Sequence, residues 1–379
     1  MATQTEFWTN FTATDPRQAP AQAAKFEADG WDGAVMVDSQ CMFPEAWVYL
    51  TLCAQATSRI KLATGVTNPI TRHPSVTAAA VASLQLVSGG RATLGIGRGD
   101  SALAYVGASP MRIAEFEHYL EVLQTYLRGE EVDMDAASAM LVNAQAGFDN
   151  LAIGSAPTGS SLKWLGNFDM PKVPVEAFAT GPKAIAAAAR SSEMVMLAMS
   201  AEVNRVAWGV DLARSAAAAA GRQIGVGCTL IVVPHENVQV ARDLARAQIA
   251  SQARFSVMNN KVIGPATDAQ AATLRKIAAV YDMNRHAQTG KGVPVGRVGA
   301  AQAQAVDDDF ADQFGVVGTV DTCVDRLTEL AALGVDRMSL WLPYVKDPEA
   351  EHAYDLLMNE VLPRVRASQQ ADAPGVPVP

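Results

Sequence analysis

Ile60-Lys61-Leu62-Ala63-Thr64-Gly65-Val66, then Thr67-Asn68-Pro69, a run from Ser75 to Val87, and Ala92-Thr93-Leu94-Gly95-Ile96-Gly97-Arg98-Gly99-Asp100 make up the stretch whose reading decides the fold. The first segment is a buried apolar strand, and Asn68-Pro69 stops it. Val76, Ala79, Ala80, Leu84 and Val87 recur at helical spacing, and Gly89-Gly90 closes the helix before the next strand opens at Ala92. The result is one strand–helix–strand unit. Ligands of parallel α/β folds lie at the carboxyl ends of the strands, so Thr67, Asn68, Arg98 and Asp100 project toward whatever is bound.

The same alternation extends along the chain. Strands are predicted at Phe7–Thr9, Gly33–Val37, Ile60–Val66, Ala92–Gly97, Val173–Ala179, Met194–Ala198, Ile224–Val233 and Met338–Leu342. Helices are predicted at Ala19–Ala28, Pro44–Ala56, Ser75–Val87, Arg112–Leu127, Pro182–Arg190, Ala201–Ala219, Asn237–Phe255 and Val320–Leu333. Eight alternations predict an α/β fold of the (β/α)8 TIM-barrel type in one domain over residues 1–366. Two stretches exceed a minimal barrel, 130–172 after strand 4 and 258–312 after strand 7, and insertions of this length are usually functional covers or interface elements. The tail 367–379 carries three prolines and no periodic apolar face, which predicts disorder.

Composition sets outer limits. The 379 residues are 49% hydrophobic, ample for a large core. No apolar run approaches the ~20 residues that span a bilayer, and Met1-Ala2-Thr3-Gln4-Thr5-Glu6 lacks the basic end and apolar centre of a signal peptide. A cytoplasmic location and no membrane partner are therefore expected. A formal charge of -9 argues against a nucleic-acid surface, which needs clustered Lys and Arg. Cys41, Cys53, Cys228 and Cys323 are scattered, with no Cys-x-x-Cys pair and no His at ligand spacing, so neither disulfides nor a metal site is expected. Cys41, just beyond a strand, is the one thiol with a reactive alternative.

Thr64 to Pro74, Ser88-Gly89-Gly90-Arg91 and Gly95 to Ala102 resemble the bacterial luciferase-like monooxygenase superfamily, within it the branch of methylenetetrahydromethanopterin reductase and other deazaflavin enzymes. The resemblance returns at Ala179-Thr180-Gly181-Pro182-Lys183-Ala184 and from Phe314 to Thr319, leading into Leu333-Gly334-Val335-Asp336. It implies the same barrel, a homodimer and a reduced flavin or deazaflavin bound at the carboxyl ends of the strands. It also implies a bulge at Gly65 and Val66 that supports the ring, often through a cis peptide, and a phosphate held by Thr180, Gly181 and Lys183. The last inference agrees with the residues, because Pro182 opens a helix whose free N–H groups suit an anion.

Gly95, Gly97 and Gly99 do not make a dinucleotide fingerprint, since Asp100 stands where the third glycine is required. Gly97 with its neighbours is read instead as letting a flat ring lie against the backbone. Asp100 and Asp38 are the catalytic candidates. The resemblance implies that Asp100 lies near the ring as a proton donor or substrate contact, and desolvation would raise its pKa for that task, with Arg98 pulling the other way. Its alternative is a helix cap for the residues after Ser101. Ser39 follows Asp38 where the resemblance implies a catalytic His in many relatives, so Asp38 or Gln40 is left to bond the ring or substrate, with a structural role at the strand end as the alternative. Tyr281 and His286, in the polar cluster Tyr281 to His286, are candidate substrate contacts, with a solvated helix face as the alternative.

The function expected from these readings is oxidation of a small organic molecule with reduced FMN and oxygen, a separate flavin reductase supplying the FMN. The acidic composition and the lack of a Lys/Arg run for a polyglutamate tail favour FMN. Coenzyme F-420 with hydride transfer is the alternative, and a flavin-binding protein without turnover is the second.

Overall fold

The computed structural model describes residues 4–141, 154–258, 260–286, 301–342 and 347–371. Parts of both expected insertions, and the tail from residue 372, lie outside these.

Nine parallel strands form one sheet: β1 (Glu6–Asn10), β2 (Gly33–Met36), β3 (Lys61–Thr64), β4 (Ala92–Ile96), β5 (Val175–Ala179), β6 (Met194–Leu197), β7 (Gly225–Pro234), β8 (Val316–Gly318) and β9 (Arg337–Trp341). β1 to β7 pair in sequence order, and β9 joins β7 back to β1. Eight strands thus close a barrel. All eight predicted strands are present.

β8 is the strand that sequence reading missed. It pairs only with Val232–Pro234, where the ten-residue β7 runs on beyond the barrel. Two valines between glycines carry too little periodicity to be read as a strand.

The helices α1 (Ala19–Asp29), α2 (Ala46–Ala56), α3 (Pro74–Ser88), α4 (Ile113–Leu127), α5 (Pro182–Ser191), α6 (Val203–Ala219) and α7 (Val238–Ala253) surround the barrel, each following its strand. The 258–312 insertion contributes α8 (Asp268–Val280) and α9 (Asp308–Phe314), and α10 (Val320–Ala332), α11 (Pro348–Leu356) and α12 (Leu362–Ala371) complete the order. α12 corrects the expected tail, since the chain stays helical through Ala371. Leu362 and Val365 dock this helix in the core, and Ala367, Gln369 and Gln370 are good helix formers that carry it on. None of the helices among the described residues is long and apolar enough to cross a membrane.

Strand alternation separates the packing layers. Phe7, Leu62, Leu94, Val175, Ala177, Met338 and Leu340 face the helices in the main core, while Trp8, Val35 and Ala63 fill the barrel interior with Trp341. Below Trp8, Arg337 stacks on its ring and pairs with Glu6 (2.8 Å) and the buried Glu176, closing the amino end of the barrel. β7 serves two cores: Leu230 and Val232 face the main one, and Ile231 and Val233 face a second built with α7, α8, α9 and α11.

The glycines of β4 have a structural reason that differs from the expected one. A Cβ on Gly95 would stand 2.0 Å from the Thr64 carbonyl oxygen, and one on Gly97 would meet Val66 at 3.2 Å. Close approach of the β3 backbone accounts for Gly95, and Val66 crowds Gly97. Gly95→Ala is therefore expected to lose about 3 kcal/mol or to fail to fold, because backbone must move. Gly89→Ala, at φ 66° with nothing near its missing Cβ, should lose only about 1 kcal/mol in the same urea denaturation series. Equal losses would show that the β3–β4 approach is not a constraint.

Candidate functional site

The carboxyl end of β3 is shaped by a cis peptide between Gly65 and Val66. Gly65 N–H donates to Met36 O (2.8 Å), and beyond the bulge Thr67 N–H donates to Gly95 O (3.0 Å) while Thr67 O accepts from Gly97 N–H (3.0 Å). Thr67 and Asn68 are thereby buried at the strand end. Asn68 Oδ1 accepts from Ile70 and Thr71 N–H (3.1 and 3.0 Å), which turns the chain toward α3.

Asp38 sits beside this bulge but is already engaged. It accepts from Thr67 Oγ1 (2.6 Å) and forms an ion pair with Arg72, whose other nitrogen bonds Glu45 (2.7 Å). Burial works against the charge of Arg72, and the two carboxylates outweigh it and hold the guanidinium pKa above its ordinary value. Asp38 is thus part of a bracing network.

Three buried polar atoms in this region have no partner among the described residues: Asn10 Nδ2 at the end of β1, Ser39 Oγ after β2 and Asn68 Nδ2 after β3. Leaving such groups unbonded costs roughly 1–3 kcal/mol each, so three at the ends of successive strands mark a place where a polar ligand edge would satisfy them. The residues present therefore fit a planar heterocycle bearing amide-like groups.

A second cluster stands over β4. Asp100 pairs with Arg254, Nη1 donating to Oδ1 at 2.9 Å and Nη2 bonding the other oxygen. Arg254 lies over the rings of Phe255 (4.4 Å) and Tyr281 (4.8 Å), and the Tyr281 hydroxyl is 2.6 Å from His286 Nδ1. Tyr105 donates to Met283 O (2.6 Å), and Gln40 to Ala102 O (3.0 Å), fastening both segments to the loop after β4. Tyr281, His286 and Asp100 are thus brought together, with Gln40, from the loop after β2, bonded to the loop that carries Asp100.

The charge state of Asp100 differs from the expected one. Burial pushes its carboxyl up, but the hydrogen bonds and charge of Arg254 outweigh that and hold it below the ordinary range. A carboxylate so paired is a poor proton donor. Nor does it cap the short helix Ser101–Ala104 through its side chain. Arg98, expected to be its cationic neighbour, instead donates Nε to Met111 O at 2.6 Å. Sequence reasoning missed Arg254; its only local sign is an Arg-Phe pair where a long helix runs out. His286 is pushed down to about 4, first by burial and then by Arg254, and is neutral at pH 7.

On the far side, Gly181 caps α5 without any side-chain hydrogen bond, Thr180 Oγ1 donates to Ala198 O (3.0 Å), and Lys183 is exposed on the first turn. Arg205, fully buried, donates to Pro265 O (2.7 Å), Ile263 O (2.7 Å) and Ser256 Oγ (2.8 Å). It holds the start of the insertion so that Ile263 reaches within 3.6 Å of where a Gly181 Cβ would be. Cys41 is exposed, and the other three cysteines are buried; all four are free.

A profile described as luciferase-like monooxygenase matches residues 1–337. The 5,10-methylenetetrahydromethanopterin reductase of Methanolobus tindarius is 28% identical over 368 residues, 94% of this chain and 99% of that protein. A glucose-6-phosphate dehydrogenase of Mycobacterium avium (strain 104), named as dependent on coenzyme F-420, is 31% identical over 137 residues, 32% of this chain and 40% of its own. Among solved structures, the coenzyme F-420 dependent tetrahydromethanopterin reductase from Methanopyrus kandleri superposes with a TM-score of 0.69 at 23% identity, covering 96% of this chain and 99% of its own.

The neutral state of His286 sets a pH dependence. Its folded pKa of about 4 lies below the ~6.5 of an unfolded His, so the unfolded chain takes up the proton first as pH falls. The associated stability is complete above about pH 6.5 and is lost as pH drops toward 4, up to roughly 3 kcal/mol. Urea midpoints of the wild type should therefore fall more steeply from pH 7 to 4.5 than those of His286→Gln. Parallel curves would mean that His286 is not buried as a neutral group.

Proposed function

The chain belongs to the luciferase-like monooxygenase family, and on that premise we propose that it is a deazaflavin-dependent oxidoreductase that exchanges hydride between coenzyme F-420 and a small unsaturated or carbonyl substrate. The observation that carries a ring-binding site is the row of unpartnered buried atoms, Asn10 Nδ2, Ser39 Oγ and Asn68 Nδ2, beside the cis Gly65–Val66 bulge. The choice of deazaflavin over FMN is supported by the likeness to the Methanolobus reductase along nearly the whole of both chains, and by the named coenzyme of the Mycobacterium dehydrogenase.

Asn68, Ser39, Val66 and Thr67 would hold the ring, and the N–H groups of the first turn of α5, with Thr180, Gly181 and Lys183, would hold phosphate. Bound coenzyme supplies or accepts the hydride. The protein supplies the rest. Asp38 and Arg72 hold the strand ends still, so that Thr67 and Asn68 keep their positions. Asp100, kept ionised, orients Arg254, and Arg254 lies against Tyr281. The Tyr281 hydroxyl and neutral His286 share one proton across 2.6 Å, which makes this pair the place where a proton is given to or taken from substrate. The described start of the insertion, held by Arg205, would help to shield the barrel mouth from water.

Anaerobic titration with reduced coenzyme F-420 and, separately, with reduced FMN distinguishes the readings. Coenzyme F-420 is expected to bind selectively, and air should leave it unoxidised. Tight reduced FMN with a transient oxygen adduct on admitting air would overturn the proposal and establish a monooxygenase. Asn68→Ala should weaken coenzyme binding by about tenfold, the ~1.4 kcal/mol of one hydrogen bond. Retention of coenzyme with no turnover on any carbonyl or imine panel would favour a binding protein.

A further inference from the structure

A separate group of ligand-type side chains lies where β7 leaves the barrel. His235 and Glu236 follow Pro234, and α11 brings Glu349 and His352 against them. The two imidazole centroids are 5.3 Å apart. Glu236 reaches His352 Nε2 at 2.9 Å and His235 Nδ1 at 3.7 Å, and one ligand atom from each of the three residues lies within 4.8 Å of the other two. The remaining nitrogen of His235, Nε2, is 3.0 Å from Glu349 Oε2. His235 is buried, its N–H donates to Gly318 O (2.7 Å), and Nδ1 accepts from Asn237 N–H (2.9 Å). With Nδ1 accepting, the ring proton is on Nε2 and is donated to Glu349.

We propose that His235 Nδ1, His352 Nε2 and the Glu236 carboxylate bind one divalent transition-metal ion of the zinc type, with Glu349 orienting His235 from behind. Two imidazoles and a carboxylate are a zinc donor set, and zinc accepts three protein ligands with water in the fourth place. A carboxylate on the far nitrogen is what fixes the tautomer and direction of a metal-bound His. Magnesium and calcium demand more oxygen ligands than this group offers.

Binding exchanges two hydrogen bonds, Asn237 N–H to His235 Nδ1 and His352 Nε2 to Glu236, for three coordinate bonds, the His352 ring proton moving to Nδ1. The ion fastens α11, which follows the last barrel strand, to the end of β7, and it acts independently of the coenzyme. Sequence reading expected no metal because it looks for local spacing, and these two histidines are far apart in the chain, one after β7 and the other on α11.

The test is calorimetric titration of tag-free, EDTA-stripped protein with ZnCl2, in a Cys41→Ser background because Cys41 is the exposed thiol. One zinc per chain is expected, with no response to MgCl2. His352→Ala should abolish binding, and Glu349→Gln should weaken it by about 10–100-fold. Zinc should raise the unfolding temperature of the parent but not of His352→Ala. The His352 side chain is 45% exposed, so this variant keeps its fold, as circular dichroism would verify. Absence of uptake, or uptake unchanged in both His352→Ala and Glu236→Gln, would overturn the proposal.

Discussion

The carbonyl oxygen of Thr64 lies where a side chain at position 95 would have to be, and the carboxyl face of the barrel is organised around that approach. Gly95 O accepts from both Thr64 Oγ1 (2.6 Å) and Thr67 N–H (3.0 Å), so the bulge in β3 is held at both ends by one carbonyl of β4. Thr67 then bonds Asp38, Asp38 bonds Arg72, and Arg72 bonds Glu45, which also caps α2 through Val48 N–H (2.9 Å). One close backbone contact is in this way passed through four side chains to the next strand and its helix. Asn68 is aimed by the same turn, which is why its unpartnered Nδ2 is a fixed feature.

The two ion pairs of the carboxyl face do different work. Asp38–Arg72 joins elements of the barrel itself, and Asp100–Arg254 joins the barrel to the chain entering the insertion. Burying such pairs gains little against apolar replacements, but removing one partner leaves a stranded charge. Both therefore act more as specifiers of geometry than as sources of stability. Pairing Asp100 with Arg254 also leaves neutral His286 and Tyr281 as the groups there that are free of full charge.

The barrel was legible because its signals are local. Apolar strand runs, helical periodicity and glycine stops lie within windows of a dozen residues, and each of the eight strands had them. β8 escaped because its three residues are fixed by pairing with an overlong β7. The bulge at Gly65 and Val66 came from resemblance, not periodicity. Asp100 was found by its place at a strand end, yet its charge state was not, because Arg254 arrives from the far end of α7. Gly95 was read as making room for a ligand when the neighbour in question is the protein's own backbone. Position along a strand is written locally, whereas the partner of a side chain is a property of the whole fold.

β7 carries one core on each face of its outer half, so the insertion rests on a hydrophobic base of its own. Leu274, Ile277, Phe310 and Phe314 are satisfied there without drawing on the packing between barrel and helices. The chain is in effect a fixed chassis with an exchangeable attachment. On the proposed reading, changes confined to this attachment would alter the substrate side and reach Asn10, Ser39 and Asn68, which stand at the ends of main-core strands, only through such links as Asp100–Arg254 and Tyr105–Met283.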